Sequence, residues 1–220
     1  MISLFRILVL WVAGLLAGMQ FAKVSIFLPE ISILYASNAE QVVWLLTLVS
    51  IVGASFGGIA GKVAEWVGLK RLLFFSLVTA GCLSLCQAYF PPFEVMALLR
   101  VLEGFTHLGI VIAAPVLMAE ATPAKWRGTV MVLWSTFFGV SFAILAWIAV
   151  PNIEELGISG LFHFHSLLLV LFAGLVRIGF PNNDHPNKTR RRPKQKNQNS
   201  YGLSSILERS GLVSVGYFIL

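Results

Sequence analysis

The sequence predicts an all-α integral membrane protein with six transmembrane helices. Its 220 residues are 57% hydrophobic and only 12% charged, and a soluble domain carries about 25% charged residues. The mean hydropathy is +0.83. Six apolar runs are close to the roughly 20 residues that a helix needs to cross a bilayer. They cover residues 7–28, 42–60, 72–90, 95–119, 129–150 and 158–176.

The six runs are expected to be helices and not barrel strands. In hydrocarbon every backbone polar group must be paired within the protein, which allows helices or a closed barrel. Barrel strands are alternating segments of about ten residues, whereas these runs are longer and do not alternate. The first run also exceeds the roughly 7–15-residue core of a secretory signal and lacks a cleavage site, so we expect it to be retained.

The basic residues lie almost entirely on one side of the predicted spans. The connections at 29–41, 91–94 and 151–157 contain no Lys or Arg, and only Lys23 and Arg100 fall inside spans. Cytoplasmic loops are enriched in Lys and Arg. The sequence therefore predicts a multi-pass protein of the cell membrane, with its N-terminus and the segment after the sixth run in the cytoplasm.

Residues 177–200 carry the positive net charge of the chain. They contain seven basic residues and one acid. Such a composition forms cores poorly, and we predict a cytoplasmic linker attracted to anionic lipid headgroups. We expect no nucleic-acid partner. The apolar stretch after this segment is too short to span a bilayer, so we expect the chain to stop inside a helix.

Glycines recur at every fourth position in two runs. Gly14 and Gly18 do so in the first run, and Gly53, Gly57 and Gly61 do so in the second. Small residues at this spacing allow close approach of two helix backbones in lipid. The sequence predicts tight helix packing at both series.

The stretch GKVAEWVGLKRL, residues 61–72, follows the second glycine series. It resembles the loop between helices two and three of the major facilitator superfamily, written G-x3-D-R-x-G-R-[RK]. Glu65 replaces the aspartate, Trp66 replaces the first arginine, and the basic pair is displaced by one position. The residues that carry the likeness are Gly61, Glu65, Gly68, Lys70 and Arg71.

Two later elements strengthen this resemblance. Arg100 and Gly104 are spaced like the R-x3-G element of the family's fourth helix, and Arg127-Gly128 resembles its next cytoplasmic turn. The resemblance implies that residues 1–180 form an N-terminal six-helix bundle of two inverted three-helix repeats. Residues 181–204 would be the linker and 205–220 the start of a truncated helix seven, with the C-terminal six-helix half missing. It also implies that the 61–72 loop and Arg127 form a conformational gate.

Charged residues inside the apolar runs are candidates for function. A basic side chain at the bilayer centre costs about 2.5–3.5 kcal/mol on insertion scales. Arg100, Glu103 and His107 share one face of the fourth run, and histidine is suited to proton exchange near neutral pH. We predict that this face binds substrate or a coupling proton. The alternative is a buried Arg–Glu pair that only fixes helix packing.

Lys23 and Gln20 are further candidates on the first run. Lys23 either lines the transport pathway or extends its amine towards the membrane surface. If Lys23 and Arg100 both face a cavity, an anionic substrate is favoured over a cationic one. His163 and His165, near the end of the sixth run, point about 200° apart on a helix. We expect them at the membrane interface and not in a metal site.

These features favour a secondary transporter of a small solute, coupled to protons or another ion and working by alternating access. The fifth run lacks the G-P-x2-G-G-like element of the family's antiporters, which tilts the prediction towards uptake, with a drug-efflux antiporter as an alternative. A non-transporting membrane receptor or assembly protein is another. No predicted loop holds a catalytic cluster, because Glu65 and Glu120 stand alone. We expect no enzyme activity, catalytic residue, metal or cofactor.

Overall fold

The computed structural model describes residues 2–36 and 39–180, and every regular element in these ranges is a helix. The predicted linker and the predicted start of helix seven lie outside the described residues. The elements are α1 (Ile2–Ile26), α2 (Leu28–Leu34), α3 (Ala39–Val67), α4 (Leu69–Gln87), α5 (Phe93–Glu120), a 3₁₀ turn (Ala124–Trp126), α6 (Arg127–Ser135), α7 (Phe137–Ala149) and α8 (Ile153–Gly179).

Five helices of the described ranges are long and apolar enough to cross a membrane: α1, α3, α4, α5 and α8. The predicted fifth span is broken into α6 and α7, which meet at a 42° bend beside Thr136. The hydroxyls of Ser135 and Thr136 each donate to a carbonyl three residues earlier, over 2.7 Å. Such bonds bend helices. With the bent pair taken as one span, the described chain has the six predicted spans.

The turn after α3 is shorter than the sequence predicts. We expected the second span to end near residue 60, but α3 continues to Val67, so Gly61 and Glu65 lie on the helix and not in a loop. Lys and Glu are good helix formers, and the charged stretch therefore continues the helix. Gly68 alone separates α3 from α4, with a φ of 90° that favours glycine.

Contacts between distant segments show which helix ends lie together. At one end Arg6 Nε donates to the carbonyl of Gly179 over 3.0 Å, and Lys70 Nζ donates to that of Phe180. At the other end the Tyr35 hydroxyl donates to the carbonyl of Pro91 over 2.9 Å. The start of α1, the start of α4 and the end of α8 thus share one end of the bundle, as alternating spans require.

The apolar core of the bundle has two parts. One contains Leu10, Leu77, Ile110 and Leu169, and the other contains Phe27, Met96, Phe162 and their neighbours. Most buried polar residues of α1, α4, α5 and α8 fall between the positions of these two parts. The exceptions are Ser76, between two residues of the first part, and Lys23, between two residues of the second. These polar residues therefore lie inside the bundle, although Gln87 ends α4 and Lys23 lies near the end of α1.

The two glycine series differ in the structure. A Cβ atom at Gly14 would meet Trp134 and one at Gly18 would meet Ser141, which confirms the close packing predicted for the first series. Gly53, Gly57 and Gly61 have nothing within 4 Å of an added Cβ. The prediction of tight packing is wrong for the second series within the described residues, because no helix of the described bundle covers that side of α3.

Candidate functional site

Three charged side chains meet in the middle of the bundle and define what we call the three-charge cluster: Lys23, Arg100 and Glu103. Lys23 lies on α1, and the other two lie on α5. All three are fully buried, with exposed fractions of 0%. Charges this deep persist only when they are paired and hydrogen-bonded.

Glu103 holds the two cations together. Its Oε1 lies 3.0 Å from Lys23 Nζ, and its Oε2 is paired with Arg100 Nη1. The Oε2 atom also accepts a hydrogen bond from Gln87 Nε2 at 2.8 Å. The Arg100–Glu103 pair that the sequence offers as an alternative is present, and Lys23 is a second partner of Glu103.

Arg100 is also bonded to the backbone of two other helices. Its Nε donates to the carbonyl of Leu45 on α3 over 2.9 Å, and its Nη1 donates to that of Gln20 on α1 over 3.0 Å. Its Nη2 atom is buried and has no hydrogen-bond partner within the described part of the chain. A buried donor without an acceptor costs about 1–3 kcal/mol, and more when charged.

Lys23 points into the bundle and does not extend to the membrane surface, so that alternative is wrong. Its Nζ lies 3.0 Å from Gln87 Oε1, 3.2 Å from Ser84 Oγ and 3.4 Å from His165 Nδ1. The ammonium also lies 4.3 Å from the centre of the Phe162 ring, within cation–π distance. Because these polar partners and Glu103 surround the amine, there is no need for it to reach water.

His165 corrects a sequence-based expectation. We predicted an interfacial residue, but its exposed fraction is 3%, and only His163 is partly exposed. His165 Nε2 lies 3.0 Å from the carbonyl oxygen of Leu16, which can only accept, so this nitrogen carries the proton. Its Nδ1 is then the acceptor that faces Lys23. The ring was assigned wrongly because position in a run does not reveal which face packs inward.

Ser84 and Gln87 were missed as well. Both are fully buried on α4, and both contact Lys23. The available signal was their i, i+3 spacing, which places two polar side chains on one face of an apolar run.

The remaining predicted candidates, Gln20 and His107, adjoin the cluster. His107 Nδ1 lies 3.1 Å from Gln20 Oε1 and 3.2 Å from the carbonyl of Ala17, so it donates to acceptors on α1. Gln20 Nε2 donates to Thr106 Oγ1 over 3.5 Å. Gly104, in contrast, packs against Val52 of α3 and contributes only space.

The structure thus places all five predicted coupling candidates in one connected region. The three-charge cluster has two cations and one anion, and both histidines next to it make bonds that a neutral ring can make. It therefore carries one positive charge in excess. Among the described residues no group of three His, Cys, Asp or Glu side chains could hold a metal ion.

The predicted gate residues lie apart from this cluster, at helix ends. Glu65 is exposed on the last turns of α3, and Gly68 forms the turn. Lys70 and Arg71 lie in the first turn of α4, and Lys70 Nζ donates to the carbonyl of Phe180, the residue after α8. Arg127 begins α6 and donates to the carbonyl of Thr122, 3.4 Å away.

Comparisons with known proteins agree with this architecture. The chain is 27% identical over 118 residues to the lincomycin resistance protein of Streptomyces lincolnensis. The aligned region covers 53% of this chain and 24% of that protein. It is 26% identical over 109 residues to the MFS-type transporter criB of Aspergillus cristatus, and the aligned region covers 49% of this chain and 24% of that protein. It is 25% identical over 165 residues to the niacin transporter NiaP of Acinetobacter baylyi, and the aligned region covers 71% of this chain and 36% of that protein.

The matched segment spans well under half the length of each of these relatives. No solved structure matches the chain. The sequence profile of the family described as the Major Facilitator Superfamily matches residues 10–220. With a six-span helical bundle and a family match over most of its length, the chain belongs to the Major Facilitator Superfamily and is a multi-pass membrane protein.

Proposed function

We propose that the protein moves a small solute across the cell membrane by secondary transport, with the three-charge cluster at its solute site. The proposal is supported by the family match and by the charges buried inside the bundle. Solute and ion sites of secondary transporters lie near the bilayer midplane, between structural repeats. Because the matched family consists of carriers and not enzymes, we propose transport and not catalysis as the activity of this protein.

A small anion is the substrate that the cluster supports best. The observation that carries this proposal is the excess positive charge together with the buried, unpaired Nη2 atom of Arg100. An anionic group bound to that donor would supply both a hydrogen-bond acceptor and a balancing charge. One relative is named a niacin transporter, and niacin is a carboxylic acid, which agrees with this charge preference.

We infer further that residues 1–180 form the N-terminal bundle and 181–204 a cytoplasmic linker that leads to helix seven from 205. The end of the bundle with Arg6, Lys70 and Arg71 would face the cytoplasm, and Glu65, Gly68 and Arg127 would form its gate. A C-terminal bundle would complete the transport pathway, and a proton or another ion would drive it.

Uptake by the intact transporter in proteoliposomes tests the proposal. We expect Arg100→Ala to reduce uptake of a small organic anion at least tenfold, because losing a buried charged partner costs about 2–5 kcal/mol. Arg100→Lys should also reduce it, because an ammonium lacks the planar fork of donors. The control is Arg177→Ala, on the exposed end of α8 and outside the predicted gate. Unchanged transport and coupling in both Arg100 variants would remove Arg100 from the site.

Export is the second candidate, because one relative is named a lincomycin resistance protein. Imposing a pH gradient of either sign across the same proteoliposomes separates the two directions. Accumulation inside acidic-outside vesicles supports proton-coupled uptake, and accumulation only inside acidic-inside vesicles supports proton-coupled export.

A further inference from the structure

A cavity of about 470 Å³ lies between α7 and α8, and Lys23 and His165 form the part of its wall next to the three-charge cluster. Both helices pack along α1, but they make few contacts with each other. Ligand sites commonly have volumes of about 300–1,000 Å³. The cavity is thus large enough for a ligand, and we call it the α7–α8 cavity.

Apolar side chains form most of its walls. Leu145, Ala149 and Leu161 are buried in the bundle, whereas Ile148 and Phe164 are 52% exposed on its outer surface. Because these two exposed apolar residues lie on spanning helices, the cavity opens on an apolar surface of the described bundle. Apolar cavities do not hold water well, and an unfilled one forfeits dispersion contacts. A hydrocarbon chain fits such walls.

The polar part of the lining sits beside the α7–α8 turn. Asn152 and Glu155 line the cavity there, and both are exposed. Residues 149–157 contain no Lys or Arg. The basic residue of the lining is Lys23, whose ammonium is enclosed by the three-charge cluster and the residues around it. A headgroup at this turn therefore meets a carboxylate and an amide, which favour an ammonium group over a phosphate-only one.

We propose that the α7–α8 cavity binds one acyl chain of a membrane lipid whose headgroup carries an ammonium, held beside Glu155 and Asn152. The chain lies between α7 and α8 and the headgroup at the turn that joins them. The cavity adjoins the three-charge cluster at Lys23 and His165, but lipid retention in it can be measured whatever solute the protein carries.

Native mass spectrometry of the purified, delipidated protein tests the proposal by titration with phosphatidylethanolamine and phosphatidylglycerol of the same acyl composition. We expect one phosphatidylethanolamine to be retained at least fivefold more than phosphatidylglycerol. Glu155→Gln should remove this preference. The matched control, Glu154→Gln, changes a neighbouring exposed carboxylate that does not line the cavity and should keep the preference.

A second pair of variants tests the cavity itself. Ala149→Phe fills it and should abolish the retained lipid, whereas Ala146→Phe, on the exposed side of α7, should not. Circular dichroism checks that both variants keep their helix content. If Ala149→Phe unfolds the protein, the Glu155 and Glu154 pair decides alone. Equal retention of the two lipids by the unmodified protein, or equal behaviour of Glu155→Gln and Glu154→Gln, would overturn the proposal.

Discussion

Replacing Glu103 by Gln should destabilise the protein strongly. The substitution keeps the shape of the side chain and its bond to Gln87, but it removes the only carboxylate that contacts both Lys23 and Arg100 among the described residues. The cluster would change from one excess positive charge to two, with no anion between them. Both cations would stay fully buried.

The magnitude follows from the burial and the number of partners. Removing one partner of a buried ion pair costs about 3–5 kcal/mol. Because Glu103 compensates two cations, we expect the upper end, about 4–5 kcal/mol. For a domain of 150–250 residues each kcal/mol lowers Tm by about 2–4 °C, so Tm should fall by roughly 8–20 °C.

Thermal unfolding of the purified protein in detergent, followed by circular dichroism, measures this change. The matched variant is Lys23→Met, which removes one cation and leaves Arg100 paired with Glu103. It loses the ion pair with Glu103 and the hydrogen bonds that Lys23 donates to its neutral partners, but Arg100 still compensates Glu103, so we expect a smaller cost of about 1.5–3 kcal/mol. Because the two substitutions affect one network, their effects should not add. The double variant should be more stable than Glu103→Gln alone.

Two results would refute this reasoning. One is a Glu103→Gln protein that melts within a few degrees of the unmodified protein. The other is a double variant less stable than Glu103→Gln by the full cost of Lys23→Met. Either would mean that the two cations do not depend on Glu103 for compensation.

Two further predictions concern packing and ionisation outside the cluster. Gly18→Val should lower the free energy of unfolding by about 1–3 kcal/mol, because it overpacks α1 against Ser141. Gly57→Val should change the free energy of unfolding by less than about 0.5 kcal/mol. Similar Tm shifts for the two variants would contradict this prediction. Burial raises the pKa of Tyr35 to about 12, above the ordinary value of about 10. The neutral phenol therefore stabilises the fold below about pH 10, and this contribution is lost as pH rises towards 12. A phenolate absorbance titration should show a highest-pH step that Tyr35→Phe removes, and completion of the wild-type titration by about pH 11 would contradict the shift.

The fold was predictable because lipid imposes a length and a composition on each span. Hydropathy alone located all six spans of the described chain, since a helix that crosses a bilayer needs a long apolar run. The bend at Thr136 was not predictable from hydropathy, because it depends on hydroxyl-to-carbonyl bonds within the helix. The end of α3 was placed too early for a related reason, since charge marks where a helix leaves lipid and not where it stops.

The charged residues of the candidate site were predictable, and their neutral partners were not. Lys23, Arg100 and Glu103 stand out because an ionised group in an apolar run is costly. Placing the neutral side chains of Ser84 and His165 in a span costs much less free energy than placing a charge there. Neither residue was therefore recognised from the sequence as a candidate. Their importance depends on α4 and α8 turning these side chains towards Lys23, which is a result of tertiary packing.

The charge preference of ligand binding tests the central claim most directly. The intact transporter would be titrated with small organic carboxylates, each paired with its neutral amide, nicotinate and nicotinamide among them. We predict that at least one carboxylate binds at least tenfold more tightly than its amide, and that Arg100→Gln removes the difference while the control Arg177→Ala retains it. A protein that binds no carboxylate more tightly than its amide, or whose preference survives Arg100→Gln, would contradict the assignment of the three-charge cluster as an anion site.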